Sequence, residues 1–489
     1  MDPLSRRSFL SKTVTTAAVA SAASIMPRVA GAAGPNDTLQ VGVIGVGGKG
    51  RDHVKQLSQL PGVRVAALCD VDPARIANGQ SMLDDAGVKA KHYQDMRELL
   101  DDPEIDAVSI ATPNHWHALA TIWACQRGKD VYVEKPVTHN LWEGKQIIDA
   151  ARKHNRVVQV GTQNRSDTGF RAAIDYIREG ALGEIQWMHG LWFKDRGSIG
   201  HVTGPQPIPA GLDYNLWTGP APLEPLMRQN LHYDWHWDWD TGNADMGNLG
   251  AHQLDDCAHA LDIASSPKRF LCLGGRFARE DDGQTPNMQA VCFEFDDAPP
   301  FLVEVRGLTE SAGSRKLPNV RGVTAGNVIQ CENGYFAGGR GGGAVYDNSG
   351  KLLKRFPGDG GAGHYANWVE AVRSRNNEGL RAELAVGVRS ANLCHLANLA
   401  FRSGQPASVE EVKSRVGQRG DALETIDAIA AHLKANNVDL DRNRLTCSEW
   451  MEYDPQAMQL SGADATSNAI ANALVKPGYR EPFVVPEQV

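Results

Sequence analysis

Lys135 follows a short apolar run, Asp130–Val133, that predicts a buried β-strand. Ligands of open α/β sheets bind beyond the carboxyl ends of the strands, which is where this lysine lies. Its ammonium group can donate a hydrogen bond to a hydroxyl that becomes a carbonyl, and it can stabilise developing alkoxide charge. We interpret Lys135 as a candidate catalytic residue; the alternative is an ordinary surface lysine at a strand end.

A GxGxxG pattern lies between a predicted strand and a predicted helix, with the sequence Gly45-Val46-Gly47-Gly48-Lys49-Gly50. Such glycines allow a tight turn and close approach of the backbone to a pyrophosphate at a helix N-terminus. Asp70, 20 residues after Gly50, ends the next predicted strand and can accept hydrogen bonds from a ribose. Its charge would repel a 2′-phosphate, so we predict NAD rather than NADP. An ordinary glycine turn and competition from Asp72 are the alternatives.

An aromatic and polar stretch, residues 232–240, alternates Trp and Tyr with His and Asp. Rings can stack on the apolar faces of a sugar while carboxylates and imidazoles bind its hydroxyls, so Trp235, His236 and Asp240 are candidate substrate-binding residues. A half-buried strand or loop with Trp facing the core is one alternative. A His/Asp metal site is another, but no compact ligand spacing supports it, and we predict no metal.

Strands and helices alternate through the first half of the chain, which predicts an α/β fold whose parallel sheet has helices on both faces. Asn114 is expected to cap the helix that follows it. The predicted strands are Leu39–Ile44, Arg64–Cys69, Ala107–Ile110, Asp130–Val133 and Val157–Val160, with helices at about 49–60 and 141–154.

After Gly161 the pattern changes to strands gathered between helices, which predicts an α+β domain with a mostly antiparallel open sheet. Its expected strands are Ile185–Phe193, Arg269–Phe277, Met288–Phe295 and Phe301–Arg306, with helices at about 168–179, 365–373, 382–402 and 422–435, and glycine-rich loops at 338–343 and 358–363. We predict four segments: a signal peptide at 1–33, a Rossmann domain at 38–160, a catalytic α/β domain at 161–404, and an extension at 405–489 that packs on the body.

The first 33 residues read as an export signal rather than as part of the fold. Ser5-Arg6-Arg7-Ser8-Phe9-Leu10 is a twin-arginine pattern, a weakly apolar run follows, and Ala30-Gly31-Ala32 offers a cleavage site. We predict export of the folded protein to the periplasm or beyond, with no membrane anchor. The net charge of −8 argues against a nucleic-acid partner. The eight cysteines are scattered, and buried free thiols are expected.

Glu134-Lys135-Pro136 resembles the EKP motif of the Gfo/Idh/MocA oxidoreductases, which pair a Rossmann domain with an α/β domain. Further segments carry the resemblance over nearly the whole chain past residue 38: Ala111-Thr112-Pro113-Asn114-His115-Trp116-His117, Gly161-Thr162-Gln163-Asn164-Arg165, residues 242–255 and Tyr479-Arg480-Glu481-Pro482-Phe483. The last of these is similar to the exported branch of the family.

The resemblance implies roles for residues that spacing alone does not assign. It implies a cis peptide before Pro136 and a catalytic histidine at His252, whose imidazole could remove a hydroxyl proton as hydride leaves. The alternative for His252 is a core histidine bonded to backbone. It also implies that the cofactor is contacted by Thr112, Asn114, His117, Glu134 and Lys135, and the substrate by Gln163 and Arg165.

Position 248 departs from the family pattern. Many members carry Asp four residues before the histidine, whereas this chain has Asn248, which cannot act as a base. Either His252 carries more of the acid–base work, or Asp245 or Asp255 substitutes. Asp255 can share a helix face with His252, although it is equally consistent with a solvated helix carboxylate.

Three functions are consistent with the sequence. The first is an NAD-dependent oxidoreductase acting on a hydroxyl carbon of a sugar or sugar-like substrate. The second is redox-neutral glycoside cleavage through a transient keto-sugar, which export favours because free NAD is scarce outside the cytoplasm. The third is a non-catalytic carbohydrate-binding protein, against which Gly45, Asp70, Lys135 and His252 together argue. The open C-terminal sheet is a candidate surface for a homo-oligomer.

Overall fold

The parallel strands and helices expected in the first half of the chain form a single doubly covered sheet. The structure, a computed structural model, describes residues 38–489, so the signal predicted at 1–33 lies outside the described residues. The sheet has the order β3-β2-β1-β4-β5-β6 and every pairing in it is parallel. Its strands are β1 (Leu39–Ile44), β2 (Val63–Cys69), β3 (Lys91–Tyr93), β4 (Ala107–Ile110), β5 (Asp130–Val133) and β6 (Val158–Val160).

Helices cover both faces of this sheet and bury apolar side chains of the strands on each side. Two helices and β3 between the second and third predicted strands were not predicted, because their apolar runs are short. The helices are α1 (Gly48–Ser58), α2 (Pro73–Asp84), α3 (Met96–Asp101), α4 (His117–Gln126) and α5 (Leu141–Lys153).

The expectation that Asn114 caps the next helix is wrong. A short 3₁₀ turn, Asn114–Trp116, precedes α4, and no side chain caps either element. Asn114 is buried instead, and its Nδ2 donates to Asn243 Oδ1 at 3.1 Å. The amide is therefore used for a contact between the two halves of the chain, because a distant partner lies closer than the helix backbone.

A ten-stranded mixed sheet forms the second half, with only β7 and β10 paired in parallel. Its order is β14-β13-β12-β11-β7-β10-β9-β8-β16-β15. The elements from 168 to 357 are α6 (Thr168–Arg178), β7 (Ile185–Phe193), α7 (Tyr214–Thr218), α8 (Leu231–Asp234), α9 (Ala251–Ala260), β8 (Arg269–Gly275), β9 (Met288–Glu294), β10 (Phe301–Arg306), β11 (Ala325–Cys331), β12 (Gly334–Gly339), β13 (Gly342–Asp347) and β14 (Leu352–Pro357).

The glycine-rich stretch 338–343 differs from the expected structure, and the strand alternative for residues 232–240 does not hold. Residues 338–343 are not a loop: they are the ends of β12 and β13 and the tight turn between them. The stretch 232–240 is not a strand, since α8 and a 3₁₀ turn, Trp235–Trp237, occupy most of it.

Among the remaining elements, β15 and β16 complete the ten-stranded sheet, and β17 and β18 pair as a separate two-stranded sheet. They are α10 (His364–Ser374), α11 (Leu384–Ser403), β15 (Gln405–Ala407), α12 (Val409–Val416), α13 (Gly420–Ala435), β16 (Leu445–Cys447), β17 (Glu452–Asp454), β18 (Gln459–Ser461) and α14 (Ala465–Ala473). Residues Leu39–Val489 form one compact unit. None of the helices in the described part of the chain is long and apolar enough to cross a membrane. The eight cysteines are buried and unpaired.

Helix α11 joins the two sheets, because it contacts β6 and α5 on one side and α9 and β8 on the other. The approach is close: a Cβ on Gly387 would lie 2.3 Å from Val160 Cγ2, and one on Gly144 would lie 2.8 Å from Val388 Cγ1. Glycine at both positions therefore lets the helices and the strand come within backbone distance.

The C-terminal tail returns to the parallel sheet. Phe483 is 1% exposed and belongs to the apolar core on one face of that sheet. Its ring meets Trp116 edge-on, with the centroids 5.5 Å apart and an interplanar angle of 75°. The tail thus supports the segment that follows β4 at the carboxyl edge of the parallel sheet.

Replacing Phe483 with alanine should lower the free energy of unfolding by about 3–5 kcal/mol, because it removes a fully buried aromatic ring and leaves a cavity. Chemical denaturation followed by tryptophan fluorescence measures the change. Leu353→Ala is the control, since Leu353 is 47% exposed and its loss should change stability by less than about 0.5 kcal/mol. Equal effects of the two substitutions would show that the tail does not support the fold.

Candidate active site

A cavity of about 640 Å³ opens at the carboxyl ends of β1, β2, β4 and β5. It is the crevice in which open α/β sheets bind their ligands. Of the residues predicted from sequence, those that line it are Gly45, Gly47, Gly48, Asp70, Thr112, Asn114, His117, Glu134, Lys135, Gln163, Trp235, His236, Asn248 and His252. Gly50, Arg165, Asp240 and Asp255 do not line it.

The turn after β1 requires glycine for two different reasons. Gly45 has φ of +80°, and a Cβ on Gly50 would lie 1.7 Å from the Gly45 carbonyl oxygen, so these two glycines form the turn itself. Gly47 and Gly48 face open space instead, since a Cβ on either would meet no heavy atom within 4 Å. Their missing side chains keep the N-terminus of α1 open to the cavity.

Asp70, directly after β2, already accepts two backbone hydrogen bonds. Its Oδ2 accepts from Val46 N at 2.8 Å and its Oδ1 from Asp72 N at 3.0 Å. Burial raises the pKa of Asp70, so additional hydrogen-bond donors would stabilise the charged form of its carboxylate. Asp72 does not compete for the same role, because its side chain caps α2 through Ala74 N and lies 3.0 Å from His232 Nε2.

Glu134 is the buried carboxylate beneath the cavity. The ring nitrogens of His53 lie 3.1 Å from Glu134 Oε1 and 2.7 Å from Ser109 Oγ, and Gln163 Nε2 donates to the same Oε1 at 3.0 Å. Burial acts to raise the pKa of Glu134, but the His53 contact and the charges of Lys49, His53 and Lys135 outweigh it and hold the pKa below the usual range. The group therefore stays a carboxylate at neutral pH.

Lys135 extends from β5 toward the second half of the chain. Its Nζ donates to the backbone carbonyl of Asn248, and the peptide bond to Pro136 is cis, as the family resemblance implies. Burial lowers the pKa of Lys135, against the opposing charge of Glu134. The ammonium group is therefore held in the cavity wall by one backbone contact, with donor hydrogens left for a ligand.

His252 faces the same cavity from α9. Its ring stacks on Trp192, with the centroids 5.7 Å apart and the planes inclined by 29°. Burial lowers the pKa of His252 well below 6.5, and the positive charge of Lys135 adds to the effect. The imidazole is therefore neutral at physiological pH and able to accept a proton.

Asn248 reaches the cavity because one turn of π-helix, Met246–Gly250, precedes α9. Its Nδ2 donates to Asp245 Oδ1 at 3.4 Å. Asp245 is itself engaged by Arg196, whose Nη2 lies 2.8 Å from the same oxygen. The carboxylate of Asp245 is therefore neutralised rather than available as a substitute base.

Asp255 and Arg165 form a buried pair outside the cavity. Arg165 Nε lies 2.9 Å from each Asp255 oxygen, and Ser390 Oγ donates to Oδ1 at 2.6 Å. Asp255 points to the face of α9 that meets α11, away from His252. The structure therefore corrects two expectations: Asp255 is not placed to replace the missing acid at 248, and Arg165 is not placed to bind substrate, because they neutralise each other.

The segment after β4 contributes a rigid wall. The ring nitrogens of His117 lie 2.7 and 2.8 Å from the carbonyl oxygens of Pro136 and Thr112, which fixes both next to the cavity. Burial lowers the pKa of His117. Thr112 Oγ1 is buried in this wall without a hydrogen-bond partner.

The aromatic stretch divides between two places. Trp235 and His236 stack with centroids 3.7 Å apart and line the main cavity, together with Tyr233. Asp240 instead lines a separate cavity of about 470 Å³, beside Trp239 and Arg402, so the structure does not place it at the predicted site. Across residues 38–489, no group of three His, Cys, Asp or Glu side chains has an arrangement that could hold a metal ion.

Three residues of the site were missed from sequence. His53 lies in the middle of α1, Trp192 at the end of β7, and Arg340 in the turn between β12 and β13. Only Arg340 carries a visible signal, as a single charged residue within the run Gly338-Gly339-Arg340-Gly341-Gly342-Gly343.

The residues present fit a dinucleotide. The open space at Gly47 and Gly48 leaves room for a pyrophosphate at the N-terminus of α1, where the helix dipole favours negative charge. Asp70 lies at the next strand end, where an adenosine ribose would be held. The unsatisfied Thr112 Oγ1 supplies a buried polar atom in the wall between that end and Lys135.

Two family models match this chain, one in each half. Residues 39–162 match the GFO_IDH_MocA model, an oxidoreductase family with an NAD-binding Rossmann fold. Residues 183–270 match the model of the family's C-terminal alpha/beta domain. The second match contains β7, Asn248 and His252, and the first contains the glycine turn and Lys135.

Curated relatives match about a third of the chain. The inositol 2-dehydrogenase of Salmonella typhimurium is 33% identical over 159 residues, which is 32% of this chain and 46% of the relative. A glycosyl hydrolase family 109 protein of Shewanella pealeana is 33% identical over 170 residues, 34% of this chain and 37% of the relative. The chain thus spans less than half the length of these relatives.

Solved structures share the fold over both halves. The WlbA dehydrogenase from Bordetella pertussis, solved in complex with NADH and UDP-GlcNAcA, superposes with a TM-score of 0.55 and 16% identity. The match covers 74% of this chain and 95% of that chain. At this identity the likeness establishes the fold alone.

Gly47→Ala should weaken NAD binding at least tenfold while leaving the melting temperature unchanged, because the added Cβ fits the protein but fills space at the N-terminus of α1. Gly50→Ala is the matched comparison: its Cβ would clash with the Gly45 backbone, so it should lower the melting temperature first. Isothermal titration with NAD and differential scanning calorimetry measure the two effects. Unaltered NAD affinity in Gly47→Ala would place the pyrophosphate elsewhere.

Proposed function

We propose that this chain, which matches two models of the Gfo/Idh/MocA oxidoreductase family, moves a hydride between NAD and a hydroxyl-bearing carbon of a sugar or sugar-like substrate. One observation carries the proposal: Lys135 and His252 line the same cavity as the glycine turn and Asp70. The two chemical groups come from different halves of the chain and meet at the end of the cavity opposite Asp70.

NAD bound in this cavity would supply the hydride acceptor. The chain's own residues then act on the substrate hydroxyl: Lys135 Nζ donates a hydrogen bond to its oxygen and stabilises negative charge that develops there. The neutral imidazole of His252 accepts the hydroxyl proton. Asn248 can orient that hydroxyl through its side-chain amide but cannot take the proton.

Aromatic rings at the mouth of the cavity support a carbohydrate as the substrate. Trp235 and His236 present a stacked pair, and Tyr233 lies beside them. Flat rings of this kind bury the apolar face of a sugar, while polar groups at their edges contact its hydroxyls. Asp70 supports NAD over NADP, because a 2′-phosphate would meet its negative charge.

Redox-neutral glycoside cleavage is the second candidate. The observation that favours it is the match to a glycosyl hydrolase family 109 protein, at the same identity as the match to an inositol dehydrogenase. In this reaction, oxidation of one sugar hydroxyl would acidify the neighbouring C–H, and His252 would be the base nearest to it. A non-catalytic sugar-binding protein is the third candidate, and it gives no reason for Lys135 and His252 to share a cavity.

Lys135→Met and His252→Ala should each lower hydride transfer by about 10²–10⁴-fold, because each removes a positioned group that handles the hydroxyl proton or charge. Both variants should retain most of their NAD binding, since the glycine turn and Asp70 are unchanged in each. Single-turnover absorbance of the reduced nicotinamide with a panel of sugars and glycosides measures the step. His201→Ala is the control, because His201 is a surface residue paired with Asp282.

The pH profile of kcat/KM gives a second readout of the same assignment. The pKa of His252 lies well below 6.5, so activity should persist at acidic pH and fall only when the imidazole becomes protonated. The pKa of Lys135 is lowered from 10.5, so the loss of activity at alkaline pH should begin below that value.

Wild-type rates of hydride transfer in both Lys135→Met and His252→Ala would reject the proposed active site. Product release with transient reduction but no net NADH would select glycoside cleavage.

We also propose that the protein is exported in its folded, NAD-loaded state. The support is the order of the N-terminal segments: paired Arg6 and Arg7, an apolar run, and Ala30-Gly31-Ala32. A bound cofactor outside the cytoplasm must be regenerated by the substrate or a second sugar, which suits a closed redox cycle.

Changing Arg6 and Arg7 together to lysine should leave the precursor in the cytoplasm, because the twin-arginine pair is what the export route reads. Cell fractionation with immunoblotting measures the distribution of precursor and processed protein. Changing Arg51 to lysine is the control, since Arg51 lies in α1 beyond the signal. Normal processing of the double variant would remove the proposal of cytoplasmic cofactor loading.

A further inference from the structure

The turn between β12 and β13 presents a single side chain, Arg340, among glycines. Gly341 and Gly342 have φ of +95° and +92°, and a Cβ on Gly342 would lie 1.9 Å from the Phe356 carbonyl oxygen. Side chains are therefore excluded beside the arginine by strain and by backbone contact. The turn therefore presents one cation, the exposed Arg340, between glycines.

Buried Asp167 fixes this turn in place. Its Oδ2 accepts from Gly341 N at 2.9 Å and from Gly360 N at 2.7 Å, while its Oδ1 caps α6 through Phe170 N at 2.7 Å. Arg340 Nε donates to the Gly360 carbonyl at 2.9 Å. The guanidinium is thus anchored at Nε, which leaves its two terminal NH₂ groups as a preorganised fork.

The Arg340 fork lies in the wall of the cavity that holds Lys135, His252 and Gln163. Within residues 38–489, no carboxylate forms an ion pair with it. Its positive charge contributes to the lowered pKa of His252, after burial and the charge of Lys135. Arg340 therefore belongs to the end of the cavity where the substrate is oxidised, and none of the described acids neutralises it.

Charged residues of both signs line the cavity, and its cations include Lys49 and Arg75 as well as Lys135 and Arg340. Among the described lining residues the carboxylates are Asp70, Asp95 and Glu134. Asp70 lies at the cofactor's ribose end, and Asp95 pairs with Arg97 beside it. Glu134 is held by His53.

The other acids close to His252 in sequence are held by residues outside the reacting groups. Asp245 and Asp255 are each paired with an arginine, and Asp256 accepts hydrogen bonds from Asn164 and Asn327 without lining the cavity. Position 248 is the neutral Asn248. Lys135 lies beside the Glu134 carboxylate, whereas Arg340 has no ion pair among the described residues.

From this arrangement we propose that the substrate is an acidic sugar, such as a uronate or an aldonate, whose carboxylate is bound by the Arg340 fork while Lys135 contacts the reacting hydroxyl. The inference rests on the proposed function and adds the substrate class to it. A carboxylate matches the planar guanidinium in two parallel hydrogen bonds. Trp235 and His236 would stack on the sugar ring between the two contacts.

Two pairs of substrates test the inference. We compare kcat/KM for glucose with that for glucuronate, and for galactose with that for galacturonate, using the protein loaded with NAD. The wild type should prefer the acid of each pair. Arg340→Met should reduce the acid-to-neutral ratio of kcat/KM by about 10- to 150-fold, the usual range for hydrogen bonds to a charged group. The ratio for Arg340→Lys should lie between those of the wild type and Arg340→Met, because lysine keeps the charge but lacks the forked guanidinium.

Arg355→Met is the matched control, since Arg355 is an exposed arginine on the neighbouring strand β14 and lies outside the cavity. If the ratio fell equally in Arg340→Met and Arg355→Met, the effect would come from the overall charge of the protein, and the inference would be overturned. So would a loss of NAD affinity in Arg340→Met as large as its loss of uronate affinity, because that would place the fork on the cofactor.

Titration calorimetry of glucuronate into the NAD-loaded protein separates the two proposals. Uronate binding that depends on Arg340 without hydride transfer would support the acidic-ligand site and reject the proposed reaction. Turnover of neutral sugars with an unchanged acid-to-neutral ratio in Arg340→Met would keep the reaction and reject the acidic substrate.

Discussion

The carboxylate of Glu134 is buried at the end of β5, and a buried charge is costly unless it is paired and hydrogen-bonded. Its partners come from both halves of the chain, His53 from α1 and Gln163 from the segment after β6. Space is limited as well, because a Cβ on Gly161 would lie 2.7 Å from Glu134 Oε1. These constraints fix the backbone at the end of β5, and with it the direction of Lys135.

Neutralisation of most nearby acids gives the cleft its chemical character. Asp245 and Asp255 each form an ion pair with an arginine, so neither carboxylate is available to accept a hydroxyl proton. His252 is then the neutral base that faces Lys135 in the proposed reaction, and its burial keeps it unprotonated. Asn248, which stands where the family resemblance implies Asp, adds neither a base nor a negative charge to the cavity.

Parts of the chain far from the cleft hold its two sides together. Helix α11 lies between the sheets, and glycines at its contacts with β6 and α5 allow these elements to approach closely. The C-terminal tail returns to place Phe483 against Trp116, just after the cofactor-side segment that contains Thr112. Because catalysis in such a cleft needs groups positioned to within a fraction of an ångström, these distant contacts bear on the site.

The sequence by itself determined the parallel sheet, the glycine turn, Asp70 and Lys135, because each depends on local pattern: strand periodicity, turn chemistry and position at a strand end. The resemblance to one family added His252. Only the tertiary structure decided which charges survive unpaired. Asp255 and Arg165 are separated by 90 residues and cancel each other, whereas Arg340 is brought to the cleft without a counter-charge. Pairing of buried charges depends on distance in space, and sequence spacing does not specify that distance between segments far apart in the chain.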